Sequence, residues 1–583
     1  MNIAAHWGAV QAAPARGTKK VITLGISAID KESTICLLDG QDVLYAVSEE
    51  RLSRVKQQDG FPFAAIEEGL ATTGLSLSDI DAVCHSFMTT EQELKMRREA
   101  VRGNIGYVLS QHQYPLGRRL FHLINAERIM PFSAIPKYNA QLEAGLEKLG
   151  IRDKLHRYHH QLCHAASAFY TVNVDRALVL TLDGYGSGLA GGAFLGENGR
   201  LKLVEKIPYP HTMGGFYGGI TRRLGFVLHR HEGKVLGLAA YGDKTKLYDK
   251  VRARFDTTRP DHFRFIDPNN FLFDLMIAKR YSREDVAAAY QAVLEDVVCQ
   301  YVAEYVKRLD VDTVCLAGGV CSNVKLNQRI LEVDGVNRVE IHPGMSDVGT
   351  ALGACLVHLS AKQGGLQPNP LKHVYLSRDF SADDMGDAIR KSGLPSKYFS
   401  NGAEPTIAEI LNNKHVVGRF NGRMEYGPRS LGNRSILYDA GDPDVNRWLN
   451  NQLQRTEFMP FAPAVLGEDA GRYFIGVDGA RDAAQFMTIT FDCTDEMKAD
   501  CPAAVHVDGT ARPQLVFAET NPSFHKIIGE YKKLSGKSAV INTSFNMHEE
   551  PIVYTPDDAI RAFKDSKIDY LAMGDFVCWQ ADS

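Results

Sequence analysis

The chain has 583 residues, 44% of them hydrophobic, and its 66 Lys and Arg against 70 Asp and Glu leave a net charge of −4. A length of this order predicts about three to five compact units. The near-neutral balance argues against a dedicated nucleic-acid binder, no apolar run is long enough to span a bilayer, and 10 Cys without a CxxC pair exclude a disulfide scaffold and make a reducing cytoplasm the expected compartment.

Residues 1–20 are Ala- and Gly-rich and lack the apolar core of a secretory signal, so a disordered leader or an expression remnant is expected there. Three β-type runs follow at 21–27, 34–38 and 43–47, with Asp39-Gly40 as the turn between the last two. The plan recurs at 177–182, 191–195 and 201–204, with Asn198-Gly199 as the turn. Gly25 to Gly40 and Gly184 to Gly199 are both fifteen residues apart. Two such halves facing each other build the ATP cleft of the actin, sugar-kinase and Hsp70 type. The expectation is an α/β chain with a duplicated actin-like (ASKHA) N-terminal domain.

Farther on, 293–309 carries apolar residues on one helical face. A buried-type strand at 313–317 runs into Gly318-Gly319, where backbone N–H groups can approach a ligand. The small residues of 349–354 suit close helix packing. The Gly- and Pro-rich stretch 362–370 reads as a linker, which predicts domains at 21–365 and 375–583.

Four stretches carry chemistry. His160 and His164 are four apart, so on a helix they share a face and can share a metal ion. His159 stands beside them, and Asp183 and Asp347 are the carboxylates that can complete the set. Two imidazoles with carboxylates suit Fe(II), Zn(II) or Mn(II). The run Asp183-Gly184-Tyr185-Gly186-Ser187-Gly188 can hold a metal or cradle phosphate, or be an ordinary Gly-rich hairpin. Lys234, in a glycine-rich setting, is a candidate phosphate contact or a solvated loop lysine. The fourth and strongest stretch is 418–435, with four arginines, four glycines and one acidic residue. Arginine forks bind phosphate, and glycines let the backbone come close. Arg455, Arg512 and the run from Ile541 to Asn546 extend this into a nucleotide and phosphate-ester site.

The run from His159 to Ala168, together with GRMEYGPRSLGNRSIL, the following Pro-Phe-Ala-Pro, VDGTARPQ and NTSFNMHEEPIVYTPDDAI, resembles the O-carbamoyltransferases of the NodU/TobZ type. The resemblance spans about Val21 to Phe576. It implies a first domain like the tRNA threonylcarbamoyl transferase and an α/β second domain like YrdC. In that family the second domain combines carbamoyl phosphate with ATP and Mg to give carbamoyladenylate and pyrophosphate. The first domain then moves the carbamoyl group to a hydroxyl of a small-molecule acceptor, in natural-product biosynthesis, and releases AMP. Carried onto this chain, the metal ligands fall on His160, His164, Asp183 and Asp347, with Fe(II) as the implied ion. The adenylate falls near Lys234, Gly318, Gly319 and Asn323. Arg423, Arg429, Arg434, Arg455 and Arg512 hold carbamoyl phosphate and the ATP phosphates, with Asn542 and Ser544 orienting them. The resemblance implies a monomer or homodimer, and the charge balance and the lack of a long apolar run give the expectation of no nucleic-acid or membrane partner.

One position departs from the family. Its histidine after the first strand, the base for the acceptor hydroxyl, falls on Lys31. A lysine is a base only if neighbouring cations depress its pKa. Otherwise Lys31 stays charged and binds an anion, with Asp30 or Glu32 as base. His159 is a further candidate at the reaction centre. The departure keeps open transfer to an amine or of another acyl group, and the shared histidine run keeps open a tRNA threonylcarbamoyl-type modification. The stretch 89–138, rich in His, Tyr and Arg, is expected to be either part of the wall for a polar or sugar-like acceptor or an ordinary helical insertion.

Overall fold

A computed structural model describes residues 21–28, 31–110, 117, 134–256, 259, 261–265, 271–443, 445 and 460–580. The leader 1–20, Asp30, Arg455 and much of 111–133 lie outside the described residues.

The first apolar runs are buried on both sides and form near-continuous hydrophobic strands, as a sheet covered on both faces requires. β1 (Ile22–Ser27) pairs antiparallel with β2 (Thr34–Asp39), and β2 pairs antiparallel with β3 (Asp42–Ser48). The chain then returns so that β4 (Ala82–His85) lies parallel to β1, and β5 (Leu155–Arg157) parallel to β4. The sheet order is β3-β2-β1-β4-β5. The second sheet repeats it with β6 (Arg176–Gly186), β7 (Leu189–Glu197), β8 (Arg200–Pro208), β9 (Thr313–Ala317) and β10 (Arg338–Ile341), in the order β8-β7-β6-β9-β10 and with the same strand directions. This is the duplicated actin-like fold that the repeated strand plan predicts.

The equal glycine spacing is not the basis of the repeat. Gly25 sits in mid-strand opposite Cys36, whereas Gly184 lies in the irregular end of β6. Matched from their hairpin ends, Ile22 opposite Asp39 corresponds to Arg176 opposite Glu197, which sets Gly25 against Val179.

Six helices matter for the site: α1 (Thr90–Ser110), α2 (His160–Phe169), α3 (Glu232–Ala239), α4 (Arg283–Leu309), α5 (Val324–Leu331) and α6 (Val348–Gln363). α2 follows β5 and packs on β6 and β9, and α6 packs on α2, β1 and β4, so these two helices join the sheets. The small residues of α6 make this possible. A Cβ on Gly353 would lie 1.9 Å from the Cys163 carbonyl oxygen, so only glycine lets the two backbones meet. α4 begins ten residues before the expected 293. Val286–Leu294 is buried almost all round, so its apolar pattern has no single face for periodicity to find.

The stretch read as a linker is tied to the first half. The N–H groups of Leu366, Asn369 and Leu371 donate to the carbonyls of Gly199, Tyr170 and Thr171 at 2.8–2.9 Å. Beyond it lies an eight-stranded mixed sheet: β11 (Ser396–Tyr398), β12 (Val417–Phe420), β13 (Arg434–Asp439), β14 (Ala462–Leu466), β15 (Gln514–Val516), β16 (Ala539–Ser544), β17 (Tyr570–Met573) and β18 (Phe576–Trp579). Its order is β11-β18-β17-β12-β13-β16-β14-β15. The largest hydrophobic cluster runs from Leu178 on β6 to residues of this sheet such as Ile436 and Ile541, so the halves share a core. None of the ten cysteines forms a disulfide. Among the described residues no helix is long and apolar enough to cross a membrane.

Candidate active site

The two histidines of α2 face two carboxylates from different elements. Asp183 comes from the irregular end of β6, and Asp347 occupies the N-cap position of α6. His160 Nε2 lies 3.2 Å from Asp183 Oδ2 and 3.5 Å from Asp347 Oδ1. His164 Nε2 lies 3.8 Å and 3.5 Å from the same atoms. All four ligand atoms fall within 4.8 Å of one another. The four imidazole–carboxylate separations lie inside the limit of about 4.4 Å for two ligands each about 2.0–2.2 Å from a common ion. Neither imidazole is exposed, and His160 Nδ1 and His164 Nδ1 have no hydrogen-bond partner among the described residues. Burial opposes charging His160, but the hydrogen bonds and charges of Asp183 and Asp347 prevail and hold its pKa up at about 10. Two buried carboxylates thus draw in positive charge, and a divalent cation would supply it in place of a proton. The donor set fits a metal ion.

Around this cluster the expected residues divide. Lys31 is half-buried, and its charge bears on both Asp347 and His229, which brings the loop after β1 to the centre. His159 occupies the N-cap of α2. The Gly319 N–H points to Asp183 Oδ1 at 3.4 Å. Gly318 has φ 102°, and a Cβ there would lie 2.2 Å from the Leu182 carbonyl oxygen, so its first task is strand packing. Asn323 caps α5 by accepting from the Leu326 N–H at 3.0 Å, and it donates to Gln291 at 2.9 Å.

A cleft of about 420 Å³ runs between the two halves. Lys234 on α3 lines it from the first half, and Arg429, Arg512, Asn542 and Ser544 line it from the second. Arg434, expected among the phosphate contacts, is not on the cleft. It is fully buried, donates to the carbonyls of Asn421 and Asn433 at 2.8 and 2.9 Å, and stacks 3.7 Å over the Phe420 ring. It starts β13, all of whose residues are buried, so the structure holds it inside the second half and off the cleft. Arg423 is exposed and also off the cleft. Gly318, Gly319 and Asn323 do not line it, although Ser322 and Val324 do.

The sequence reading missed the charge that the first half adds. Glu50, Arg51, Lys56, His229, Arg230 and His231 all line the cleft. For Glu50, Arg51 and Lys56 the signal was the charged run Glu49-Glu50-Arg51 with Lys56 directly after β3, and for His229, Arg230 and His231 it was the basic stretch just before Lys234. Arg230 Nη1 reaches Glu549 at 2.6 Å across the two halves. His229 sits in the left-handed region at φ 67°, a costly conformation for a non-glycine residue. Its N–H donates to Glu232 and its carbonyl accepts from Gln57, both at 2.8 Å. Burial, then the charge of Lys31, hold its imidazole down at about 4, so it is neutral at neutral pH.

Fold and site define an α/β enzyme of the actin-like class whose cleft is completed by a second α/β unit. The family profile "Carbamoyltransferase N-terminus" matches residues 22–356 and "Carbamoyltransferase C-terminus" matches residues 408–580. The chain therefore belongs to the carbamoyltransferase family. It is similar to the nodulation protein NolO of Bradyrhizobium diazoefficiens, with 33% identity over 72% of this chain and 78% of that protein. The nodulation protein NolNO of Sinorhizobium fredii is 29% identical over 94% of this chain and 78% of its own length. The 3'-hydroxymethylcephem-O-carbamoyltransferase of Streptomyces clavuligerus is 26% identical over 59% of this chain and 64% of its own. Among solved structures, phosphate- and nucleotide-bound HypF covers 59% of this chain and 47% of its own, at 12% identity and a TM-score of 0.37, too loose a likeness to bear on chemistry.

Proposed function

We propose that this carbamoyltransferase makes carbamoyladenylate from carbamoyl phosphate and ATP, and transfers the carbamoyl group to a hydroxyl of a small molecule. One observation carries the reading. A single cleft joins Arg429, Arg512, Asn542 and Ser544 of the second half to Lys234, His229 and Val348 of the first, and Val348 directly follows the metal-ligand candidate Asp347. The hydroxyl acceptor is supported by the printed activity of the cephem relative.

In this reading the second half, 375–583, is a YrdC-like activating domain. Arg429 and Arg512 hold the phosphates of carbamoyl phosphate and of Mg-bound ATP. Water cleaves carbamoyl phosphate to carbamate and phosphate. A carbamate oxygen attacks the α-phosphorus of ATP, and pyrophosphate leaves with the bonding electron pair. The first half, 21–365, is the transfer domain, where Lys234 contacts the adenylate phosphate. His160, His164, Asp183 and Asp347 would hold Fe(II), which when bound supplies a Lewis acid for the developing oxyanion. Lys31 stays charged beside Asp347 and adds to that positive field. The proton of the acceptor hydroxyl passes to the neutral imidazole of His229, which stands in for the histidine replaced by Lys31. The hydroxyl oxygen bonds the carbamoyl carbon, and AMP departs with the electrons of the broken C–O bond.

The test needs no acceptor. The protein is incubated with ATP and Mg²⁺, with and without carbamoyl phosphate, and pyrophosphate and carbamoyladenylate are quantified. Pyrophosphate that depends on carbamoyl phosphate is expected. Its absence, with ATP shown to bind, would overturn the activation step in favour of another acyl donor. Lys31 in place of an imidazole supports a second reading, transfer to an amine, because a neutral amine attacks without a base. A urea product rather than a carbamate ester would select it.

A further inference from the structure

We infer that α1, acting through Glu93, is the outer support of the metal centre, with Glu93 a positioning residue for His160. The inference rests on the proposed metal reading of His160, His164, Asp183 and Asp347.

Three residues on one face of α1 grip the turn between β6 and β7. Glu93 is fully buried in the first turn of the helix. One of its oxygens accepts from the Met88 N–H at 3.0 Å and from the Ser187 hydroxyl at 2.7 Å. Ser187 Oγ in turn accepts from the backbone N–H of His160 at 3.2 Å. That N–H is one of the donors a helix start leaves without an internal partner, so the relay caps α2 at the ligand itself. Met96 packs under the same turn, where a Cβ on Gly188 would lie 3.0 Å from its own. Arg97, one helical turn beyond Glu93, lies 5.9 Å from the ring centre of Tyr185, two residues past Asp183, and 5.8 Å from that of Tyr209.

The turn is shaped for this contact. Ser187 and Gly188 both have positive φ, 51° and 80°, in the two-residue loop between Gly186 and Leu189. Asn, Asp or Gly fits that first position more cheaply, and serine there adds the hydroxyl of the relay. A Cβ on Gly186 would lie 2.0 Å from His160 Cδ2, so the imidazole packs directly on the hairpin that Glu93 holds. The other Glu93 oxygen, Oε2, is buried with no hydrogen-bond partner among the described residues. An orphaned buried acceptor is costly, and an apolar side chain would serve stability better. The carboxyl is therefore explained by the group it orients. Support of a metal ligand from outside the ligand set fixes ligand direction and tunes affinity.

The full chain, stripped of metal, is titrated anaerobically with Co(II), following the visible absorption band, and with Fe(II). Glu93→Ala and Ser187→Ala are expected to weaken Co(II) binding by about 10–100-fold and to shift the band. Glu93→Gln still accepts from both donors and is expected to stay close to the native chain. Circular dichroism and thermal midpoints check folding, and Ser187→Ala carries the test if Glu93→Ala does not fold. Native affinity and an unshifted band in the alanine variants would overturn the inference and leave the metal reading standing. A native chain that binds neither ion would remove both.

Discussion

In the proposed reaction, the lysine at position 31 moves the proton-accepting role to another side chain. There Lys31 does not act as the base; its charge, which bears on Asp347, would strengthen the field in which an oxyanion forms. His229→Asn is expected to lower transfer by about 10²–10⁴-fold while pyrophosphate formation persists. Lys31→Met is expected to lower transfer by about 10²–10³-fold, again sparing the first step. Equal loss of both steps in either variant would show that the residue serves the cleft as a whole. The arginines separate in the opposite way. Arg429→Ala and Arg512→Ala are expected to abolish pyrophosphate release with little change in thermal midpoint, whereas Arg434→Met lowers the midpoint because it empties a buried network. Sequence could place His160 and His164 together, because four-residue spacing fixes a helix face. It could not say that Arg434 is buried within its own half while Arg429 reaches the cleft, since that depends on how distant segments pack around them.

Among the elements, the hairpin plan and the Gly-Gly strand end were legible, because turn chemistry and apolar runs are local. The early start of α4 and the docking of 366–371 on the first half were not, because both depend on neighbours distant in sequence. The loop element around His211 offers a pH test. His211 is buried, and its Nδ1 accepts from the Phe265 N–H at 3.0 Å. Burial, then the charges of Arg264 and His262, push its pKa down to about 3. A folded pKa below the ordinary 6.5 means that the unfolded chain takes up the proton first. The stabilisation is complete above about pH 6.5 and is lost as the pH falls toward 3, by about 1.4 kcal/mol per pH unit. His211→Asn keeps an acceptor without the titration. Urea midpoints at pH 7.5 and 5.5 are expected to converge between the native chain and this variant, and parallel values would disprove the assignment.

At the scale of the whole molecule, the two halves are bolted together around the cleft. Arg54 donates to the carbonyls of Ile552 and Pro551 at 2.7 and 2.8 Å and pairs with Asp558 at 3.4 Å. His342 faces the Tyr426 hydroxyl at 3.3 Å on the other flank. Arg54→Ala is expected to cost about 1–3 kcal/mol and to split calorimetric unfolding into two transitions. A single unshifted transition would mean that the shared core alone couples the halves. Nothing in the sequence named these partners, because Arg54 and Ile552 lie at opposite ends of the chain.

The cleft volume sets a kinetic regime. One molecule confined to 420 Å³ is present at about 4 M. Under the proposed function, a mixed anhydride made on one wall would meet the opposite wall at that concentration, and the transfer site could work with weak affinity for it. Selection would then act on the residence time of the anhydride between the walls rather than on its recapture from solution. Weak binding at the second station becomes an advantage, since it leaves AMP free to go.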